Sequence, residues 1–384
     1  MNEPLGIAII GCGYVADSYR YCLPFHGDRL RLVGVFDRDP QRLDAFVACW
    51  GDTRYASLQQ ALDDPAVRIV VNLTCPESHA DVTRAAISAG KNVYSEKPLA
   101  LTMRQAAELR DAARAADVRL SSAPCNVLGE SAQTAWSALR AGRIGKVRLA
   151  YAELDDGMIH RANYQSWVSR SGRVWPARGE FETGCTFEHA GYALTILGAM
   201  FGPVRRVTAF ASVQVADKKV SPPLHAATPD FSVGLLEFDD GVVARLTNSV
   251  VAPYDHRMRI VGDDGHLEIT ELWDYASPVV LRRAAQGRIS RLIERRLPWL
   301  AGRRLPLVRP PLFAGGRGRP TMDFMRGVSE LADALATGRN SRLDEDFAVH
   351  ITEVTEILQF PGRFASPAIV QSSFSPIAKM DWAP

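Results

Sequence analysis

The segment Leu5-Gly-Ile-Ala-Ile-Ile-Gly-Cys-Gly-Tyr-Val-Ala16 decides the fold of this chain. Its apolar first half has the length of a strand, and a helical pattern begins near Tyr14. The turn between them has the pattern G-x-G-x-x-A, in which Gly11 permits a tight turn, Gly13 lets the backbone approach a pyrophosphate, and Ala16 allows close packing of helix on sheet. We therefore expect a dinucleotide to lie against the turn residues Gly11, Cys12, Gly13, Tyr14 and Val15.

An acidic residue at the end of the second predicted strand supports this interpretation. That strand is Leu30–Asp37, and Asp37 follows Gly11 by twenty-six residues. A carboxylate at this position accepts hydrogen bonds from the ribose hydroxyls and repels a 2′-phosphate, which favours NAD over NADP. The neighbouring Arg38 is able to stack on adenine or to tolerate that phosphate, so NADP remains an alternative.

The order of predicted elements divides the 384 residues into two domains. Strand and helix signals alternate up to about Cys125, which predicts a doubly wound parallel sheet of the Rossmann type over residues 1–125. Residues 126–384 instead predict an α+β domain on a large, mostly antiparallel sheet, with Asp-Asp-Gly hairpin signals at 239–241 and 263–265. Its expected strands are Lys146–Leu154, Val204–Val215, Phe231–Phe238, Val242–Val251, Met258–Ile260 and His266–Thr270, and its expected helices are Ser131–Leu139 and Met322–Ala336.

The composition is that of an ordinary globular protein, with 47% hydrophobic and 23% charged residues and a formal net charge of +2. These values exclude a disordered chain, and no apolar run reaches the length of a membrane span. The six cysteines are scattered and never occur at metal-ligand spacing, so we expect reduced thiols and no metal site. The start, Met1–Leu5, lacks the basic region of a signal peptide, which predicts a cytoplasmic protein.

One segment carries most of the positive charge. Residues 281–320 contain eleven arginines and one acidic residue, Glu294, whereas acidic side chains outnumber basic ones in the remainder. This segregation argues against nucleic-acid binding by the whole protein. Within the segment, apolar residues recur at helical spacing in Arg288–Leu300, which is typical of a basic amphipathic helix. Contact with an anionic surface, a subunit arm, a lid on a phosphorylated substrate and a solvated insertion all remain open.

A second motif makes the sequence similar to a known family. The motif Tyr94-Ser-Glu-Lys-Pro-Leu99 and the loop Thr74-Cys-Pro-Glu-Ser-His79, in order after the glycine turn and Asp37, resemble the glucose–fructose oxidoreductase / inositol dehydrogenase / MocA family. The resemblance covers the N-terminal domain and, more loosely, the order of elements to about residue 360. It implies that the Glu96-Lys97-Pro98 motif follows the fifth strand and that the 74–79 loop ends the fourth.

The resemblance also implies where the cofactor lies. In this family the lysine of the motif is beside the nicotinamide and the bound hydroxyl or ketone, and the loop passes along the cofactor. The implied cofactor contacts are Thr74, Cys75, Pro76, His79, Glu96, Lys97 and Pro98.

Lys97 has the chemistry that hydride exchange with a secondary alcohol requires. A proton must leave or reach the oxygen as the hydride moves, and desolvation beside a cationic cofactor is expected to lower the pKa of the lysine. In its ammonium form Lys97 also polarises a carbonyl group in the reductive direction. Glu96 is expected to hold either the lysine or the nicotinamide ribose.

The second catalytic motif departs from the family pattern. Members carry an Asp and a His four residues apart at the head of a helix in the second domain. In the matching stretch, Gly184–Tyr192, Glu188 stands at the Asp position and Tyr192 at the His position. His189 lies three residues before Tyr192 on the same helix face, so either residue presents the acid–base group beside Lys97. We favour His189, because imidazole titrates near working pH, with Glu188 or Tyr192 orienting it.

Substrate contacts are expected after the first strand of the second domain. Carboxylates that accept hydroxyl groups and indole rings that face sugar C–H surfaces are the usual residues of polyol-binding sites. The predicted contacts beside Lys97 and His189 are Glu153, Asp155, Asp156, His160, Arg161, Trp167 and Trp175, with Arg170 and Arg178 in the same irregular region. The substrate class implied is a sugar, a cyclitol or a nucleotide-linked sugar.

The sequence thus predicts an NAD(P)-dependent oxidoreductase that acts on a secondary alcohol or ketone of such a molecule. Two other functions stay open: a non-catalytic sensor that binds NAD(P), and a hydrolase that uses NAD transiently in redox-assisted glycoside cleavage. An intact Lys97 argues against the sensor. The strands in Val204–Val251 supply apolar residues to a second sheet face and, with the resemblance, predict a homodimer or homotetramer.

Overall fold

Two sheets organise the chain in the computed structural model. The structure describes residues 3–224, 228–284, 287, 288, 292, 296, 302–313, 315, 316 and 319–384. Within these residues, one sheet has five strands and the other has nine. The fold class expected from the sequence, a parallel α/β sheet followed by an α+β unit on a mostly antiparallel sheet, is confirmed.

The first sheet is parallel throughout. Its strands are β1 (Leu5–Ile10), β2 (Leu30–Phe36), β3 (Ile69–Asn72), β4 (Asn92–Ser95) and β5 (Leu120–Ser122), in the spatial order β2-β1-β3-β4-β5. Its helices are α1 (Ala16–Cys22), α2 (Pro40–Trp50), α3 (Leu58–Asp63), α4 (Pro76–Ser88) and α5 (Met103–Ala115). Side chains of Asp39, Ser57 and Thr102 accept backbone N–H groups in the first turns of α2, α3 and α5, and so begin these helices.

The strand order corrects one expectation. The loop that begins near Thr74 follows β3, and the Glu96-Lys97-Pro98 motif follows β4, each one strand earlier than the resemblance implied. Between β2 and β3 the chain forms helices and a single bridge from Arg54 to Val35, so no further strand is inserted there. Because β3 and β4 are parallel neighbours, both loops leave the same edge of the sheet.

The strands of the second sheet are β6 (Val147–Asp155), β7 (Val204–Ser212), β8 (Phe231–Phe238), β9 (Val243–Ser249), β10 (Met258–Gly262), β11 (Gly265–Ile269), β12 (Val279–Arg283), β13 (Gly302–Leu305) and β14 (Ala368–Ile369). Their spatial order is β13-β12-β11-β10-β6-β9-β8-β7-β14. Among these described strands, β6 and β9 pair in parallel, and the other pairs are antiparallel. Both predicted hairpins, β8–β9 and β10–β11, are confirmed.

The last two helices of the second half pack against the N-terminal domain. The described helices of this half are α6 (Glu130–Arg140), α7 (Ala177–Thr183), α8 (Cys185–Phe201), α9 (Arg326–Thr337) and α10 (Glu345–Gln359). Val328 and Leu331 of α9 pack in one apolar cluster with Ile7 and Tyr94 of the parallel sheet. Helix α10 contacts both α5 and α8. The last helices therefore pack against the N-terminal domain, and the domain boundary at residue 125 stays a prediction.

A polar clasp joins the region after β6 to the N-terminal helices. The backbone N–H and the hydroxyl of Ser171 donate to Asp17 Oδ2 at 3.0 and 2.7 Å, and the indole of Trp50 donates to Asp17 Oδ1 at 2.6 Å. The guanidinium of Arg170 lies 4.3 Å from the centre of the Trp50 ring. Since Asp17 is on α1, the clasp holds this region beside the glycine turn.

Some of the other predictions concern segments that the structure describes only in part. The basic helix expected at Arg288–Leu300 lies almost wholly outside them. All six cysteines are free thiols. In the part of the chain that the structure describes, no helix is long and apolar enough to cross a membrane, and no cluster of candidate ligands is arranged to hold a metal ion.

Candidate active site

The glycine turn connects β1 to α1 at the carboxyl edge of the parallel sheet. Gly11 has a φ of +102°, and a Cβ atom there would lie 2.5 Å from the carbonyl oxygen of Leu73, so glycine is required. A Cβ atom on Gly13 would instead meet no heavy atom within 4 Å beyond its chain neighbours. Open space beside the second glycine is what a pyrophosphate needs in order to approach the backbone. The turn therefore fits a dinucleotide.

Asp37 braces this turn. Its two carboxylate oxygens accept the backbone N–H groups of Cys12 and Asp39, each at 2.8 Å. Asp37 is buried, whereas Arg38 is exposed. Each oxygen of a carboxylate has more than one lone pair, so the predicted contact to a ribose hydroxyl remains compatible with these bonds.

His79 joins the two loops that were expected to line the cofactor. One ring nitrogen lies 2.7 Å from the carbonyl oxygen of Pro98, and the other lies 2.9 Å from that of Thr74. The residue is 1% exposed, and burial lowers the pKa of His79 against the effect of these carbonyls. His79 therefore holds the two loops together from a buried position. Cys75 is exposed, and Pro76 begins α4.

Lys97 forms an ion pair with Glu188 that links the two halves of the chain. Nζ of Lys97 donates a hydrogen bond to the carboxylate of Glu188, and the two side chains are 18% and 5% exposed. Glu96 instead accepts the backbone N–H of Lys97 and the hydroxyl of Tyr19, each at 2.8 Å. Glu96 thus fixes the backbone of Lys97, and Glu188 holds its ammonium group.

The pKa of Lys97 shifts upward in the structure, so the expected downward shift was wrong. Burial acts to lower the pKa of Lys97, but the negative charge of Glu188, with Glu180 and Glu96 nearby, outweighs burial and raises the pKa well above its ordinary value. Burial likewise acts to raise the pKa of Glu188, but Lys97 lowers it. Lys97 is therefore an ammonium group that donates hydrogen bonds, which suits it to stabilise negative charge on a reacting oxygen.

Glu180 is a site residue that the sequence interpretation missed. It lies on α7 and lines a small cavity together with Trp175, Glu188 and His189. Burial, followed by the charge of Glu188, raises the pKa of Glu180 well above its ordinary value. Two carboxyl groups in one site share a proton, so protonated Glu180 supports the ionised Glu188. Its sequence position, on a separate helix before Gly184, gave no motif to find it by.

His189 and Tyr192 pack on one indole ring, that of Trp273. Nδ1 of His189 donates to the carbonyl of Cys185 at 2.9 Å, and its ring stacks on Trp273 with centroids 5.7 Å apart. The ring of Tyr192 packs on the same indole at 5.1 Å, and burial raises the pKa of Tyr192. His189 lines the cavity beside Glu188, and its role as the acid–base group stays a prediction.

The predicted substrate contacts separate into two groups. Asp156 lies 3.5 Å from Nε2 of His189, and Trp175 lines the cavity, so the structure brings both to the site. Two carboxylates have other partners, since Glu153 pairs with Arg245 and Asp155 accepts the hydroxyl of Ser249 at 2.6 Å. The predicted contacts that do not line this cavity are Lys97, Glu153, Asp155, Asp156, His160, Arg161 and Trp167.

Two family models match successive parts of the chain. Residues 5–123 match an oxidoreductase family with an NAD-binding Rossmann fold, and residues 132–268 match the GFO/IDH/MocA C-terminal domain. The chain belongs to the GFO/IDH/MocA family. This confirms the resemblance inferred from the glycine turn and the Glu96-Lys97-Pro98 motif.

Similar proteins of known name include two dehydrogenases. The chain is 26% identical over 253 residues to the 1-carboxy-3-chloro-3,4-dihydroxycyclohexa-1,5-diene dehydrogenase of Comamonas testosteroni, covering 65% of this chain and 59% of that one. It is 23% identical over 270 residues to the trans-1,2-dihydrobenzene-1,2-diol dehydrogenase of Mus musculus, covering 69% and 74% of the two chains. The chain thus spans a little over half the length of the first relative.

A solved structure shows the same fold. The aldose-aldose oxidoreductase from Caulobacter crescentus, complexed with glycerol, superimposes with a TM-score of 0.71 at 21% identity, covering 94% of this chain and 98% of that one. In this GFO/IDH/MocA chain, Glu188 stands where the family pattern has an aspartate, and its side chain still reaches Lys97. Tyr192 replaces the patterned histidine, while His189 supplies an imidazole one turn earlier.

Proposed function

We propose that this chain is an NAD(P)-dependent oxidoreductase that transfers a hydride between nicotinamide and a secondary alcohol or ketone of a sugar, a cyclitol or a nucleotide-linked sugar. The observation that carries the proposal is the Lys97–Glu188 ion pair, formed between the edge of the parallel sheet and a cavity of the second half. Family membership supports a nicotinamide cofactor. Two relatives are named for cyclic dihydroxy compounds, which supports a ring that carries hydroxyl groups.

The dinucleotide would be held by the turn at Gly13, by Asp37 and by the loop at 74–76. When bound, it supplies the acceptor or donor of the hydride. Asp37 favours NAD over NADP, because its carboxylate repels a 2′-phosphate.

The chain's own residues supply the proton chemistry. The Lys97 ammonium donates a hydrogen bond to the reacting oxygen, which stabilises the negative charge that develops there. Glu188 keeps this ammonium charged and in place. Because the raised pKa of Lys97 makes it a poor base, the imidazole of His189 is the better group to take the hydroxyl proton in oxidation and to return it in reduction.

We also propose a homodimer or homotetramer formed through the outer face of the second sheet. Phe210, Leu235 and Ile369 are 58%, 48% and 59% exposed on its strands. An exposed apolar sheet face of this kind is typical of an interface between copies. The six free thiols favour a reducing compartment, and we place the proposed reaction in the cytoplasm.

Native mass spectrometry of the purified chain, followed by a screen of polyols and nucleotide sugars for NADH absorbance, tests the function. We expect NAD(P) binding and NADH formation with at least one polyol. One molecule of NADH should form for each molecule of polyol that is oxidised. Ligand binding that never produces turnover would support a sensor instead. Glycoside cleavage with tightly retained NAD and no net NADH would support the redox-assisted hydrolase.

A further inference from the structure

The carboxylate of Asp156 lies between two histidine rings. Nε2 of His189 is 3.5 Å from its Oδ2 atom, and Nε2 of His256 is 3.6 Å from its Oδ1 atom. His189 faces the cavity, whereas the side chain of His256 has no exposed surface. Asp156 therefore lies between a ring that lines the cavity and a ring that is fully buried. Trp273 packs against both rings, at 5.7 and 4.2 Å between centroids.

The far side of His256 is held by Glu271. Nδ1 of His256 is 3.3 Å from Glu271 Oε1, which also accepts the backbone N–H of Trp273 at 2.9 Å. The second oxygen of Glu271 accepts the hydroxyl of Tyr254 at 2.7 Å. Glu271 is thus fixed by two further donors, and it holds the His256 ring in one orientation. Nε2 of His256 is buried and makes no hydrogen bond at this separation from Asp156.

The donors and acceptors of this cluster favour a proton on one of the two rings. Nδ1 of each ring faces an acceptor, the Cys185 carbonyl for His189 and Glu271 for His256. In a neutral imidazole that donates through Nδ1, Nε2 is an acceptor, and an ionised carboxylate only accepts. Acceptors that face one another repel, which favours a proton between Asp156, whose side chain is 19% exposed, and one of the rings. His256 is better placed to carry it, because it stands between two carboxylates, Asp156 and Glu271.

We propose that His256 is a positioning residue whose protonated Nε2 faces Asp156 and balances its charge, and thereby leaves Nε2 of His189 free to exchange a proton with the substrate hydroxyl. The exchange of a proton with the substrate depends on the proposed function. The arrangement of Asp156 and the two rings does not depend on it. In oxidation, the C–H bond breaks and its electron pair reduces the nicotinamide as hydride. The O–H bond breaks as well, its proton goes to Nε2 of His189, and the carbonyl double bond forms. Without His256, the charge of Asp156 would draw a proton onto His189 before the substrate is bound.

Nuclear magnetic resonance of the ring nitrogens in the cofactor-free chain tests this directly. The chain has eight histidines, and the His189 signals are assigned by their loss in His189→Gln. We expect His189 to carry its proton on Nδ1 at neutral pH. In His256→Ala its Nε2 resonance should move to the position of a protonated nitrogen. In His256→Gln, whose amide N–H group faces Asp156 in place of the imidazole, the resonance should stay near that of the unmodified chain.

Two further variants make the result decisive. Glu271→Gln removes the negative charge beside His256 and should shift the His189 signal in the same direction as His256→Ala. It therefore carries the test if His256→Ala does not fold. His26→Asn is the matched control, because His26 is a buried histidine 2.9 Å from a carboxylate, that of Asp323, outside the cavity. It should leave the His189 signals unchanged. An unchanged Nε2 resonance in both His256→Ala and Glu271→Gln overturns the proposal.

Kinetics separate this proposal from the proposed function. With an identified substrate, His256→Ala should lower kcat for oxidation roughly 100-fold, the low end of a lost acid–base contribution, with KM and NAD(P) affinity changed by less than about twofold. His256→Gln should recover most of the loss. Equal loss in both variants would mean that an N–H donor at this position does not replace His256, which contradicts the proposal. If the unmodified chain turns over no substrate, the proposed function fails, and the resonance experiment still decides the role of His256.

Discussion

Replacing Glu188 by glutamine should destabilise the folded chain by about 3 kcal/mol. The change leaves the Lys97 ammonium, 18% exposed, without the carboxylate that balances it, and removing one partner of a buried pair typically costs about 3–5 kcal/mol. The residual exposure of Lys97 places the expected loss at the lower end of that range. Lys97→Met/Glu188→Gln also removes the stranded charge, so the double-mutant cycle should give a coupling free energy of about 2 kcal/mol.

The dependence of the unfolding free energy on pH tests the same ion pair independently. The fold lowers the pKa of Glu188, so its contribution is present above the unfolded value of about 4.3 and is lost as pH falls through the folded value. The fold raises the pKa of Lys97, so its contribution is complete below about 10.4 and is lost as pH rises through the folded value. Urea unfolding across pH should therefore show the largest difference from Glu188→Gln on the plateau between these limits. Equal stability of the two proteins there, or a coupling free energy near zero, would refute the ion pair.

Three other substitutions test the cofactor site and the proposed interface. Gly13→Ala should leave thermal stability unchanged yet raise the Kd for NAD at least about 10-fold, whereas Gly11→Ala should cost about 1–3 kcal/mol in unfolding experiments because its Cβ atom meets the Leu73 carbonyl. Asp37→Ser should move cofactor preference towards NADP, and unchanged kinetics with both cofactors would contradict the role of the carboxylate. Leu235→Arg should yield a monomer in analytical ultracentrifugation where the unmodified chain is an oligomer; a monomer in both would contradict the interface.

The parallel sheet was predictable because its signals are local. The apolar run Leu5–Ile10 and the two glycines after it, Gly11 and Gly13, lie within twelve residues, and the observed β1 has the predicted bounds. The cap at Ser57 likewise lies three residues from the backbone N–H it accepts. Helix α10 was not predicted, although the side chain of Asp344 accepts the backbone N–H of Phe347 at its start.

Residues of the candidate site were predictable from the sequence only where they belong to a motif. Lys97 and Glu188 belong to motifs, and the structure joins them although 91 residues separate them in the chain. Glu180, His256 and Trp273 belong to no motif, and they reach the site only because separate helices and strands converge there. The sign of the pKa shift of Lys97 was wrong for the same reason, since it depends on carboxylates that only the fold brings near.

Turnover by Lys97→Ala is the most direct test of the proposed mechanism. The substitution removes the ammonium group that stabilises the reacting oxygen but leaves the turn at Gly11 and Gly13 and the carboxylate of Asp37 to bind the dinucleotide. On an identified substrate, kcat should fall by about 10²–10⁴-fold while the Kd for NAD, measured by calorimetry, changes little. Full turnover by Lys97→Ala would contradict the central claim that this lysine acts on the reacting oxygen.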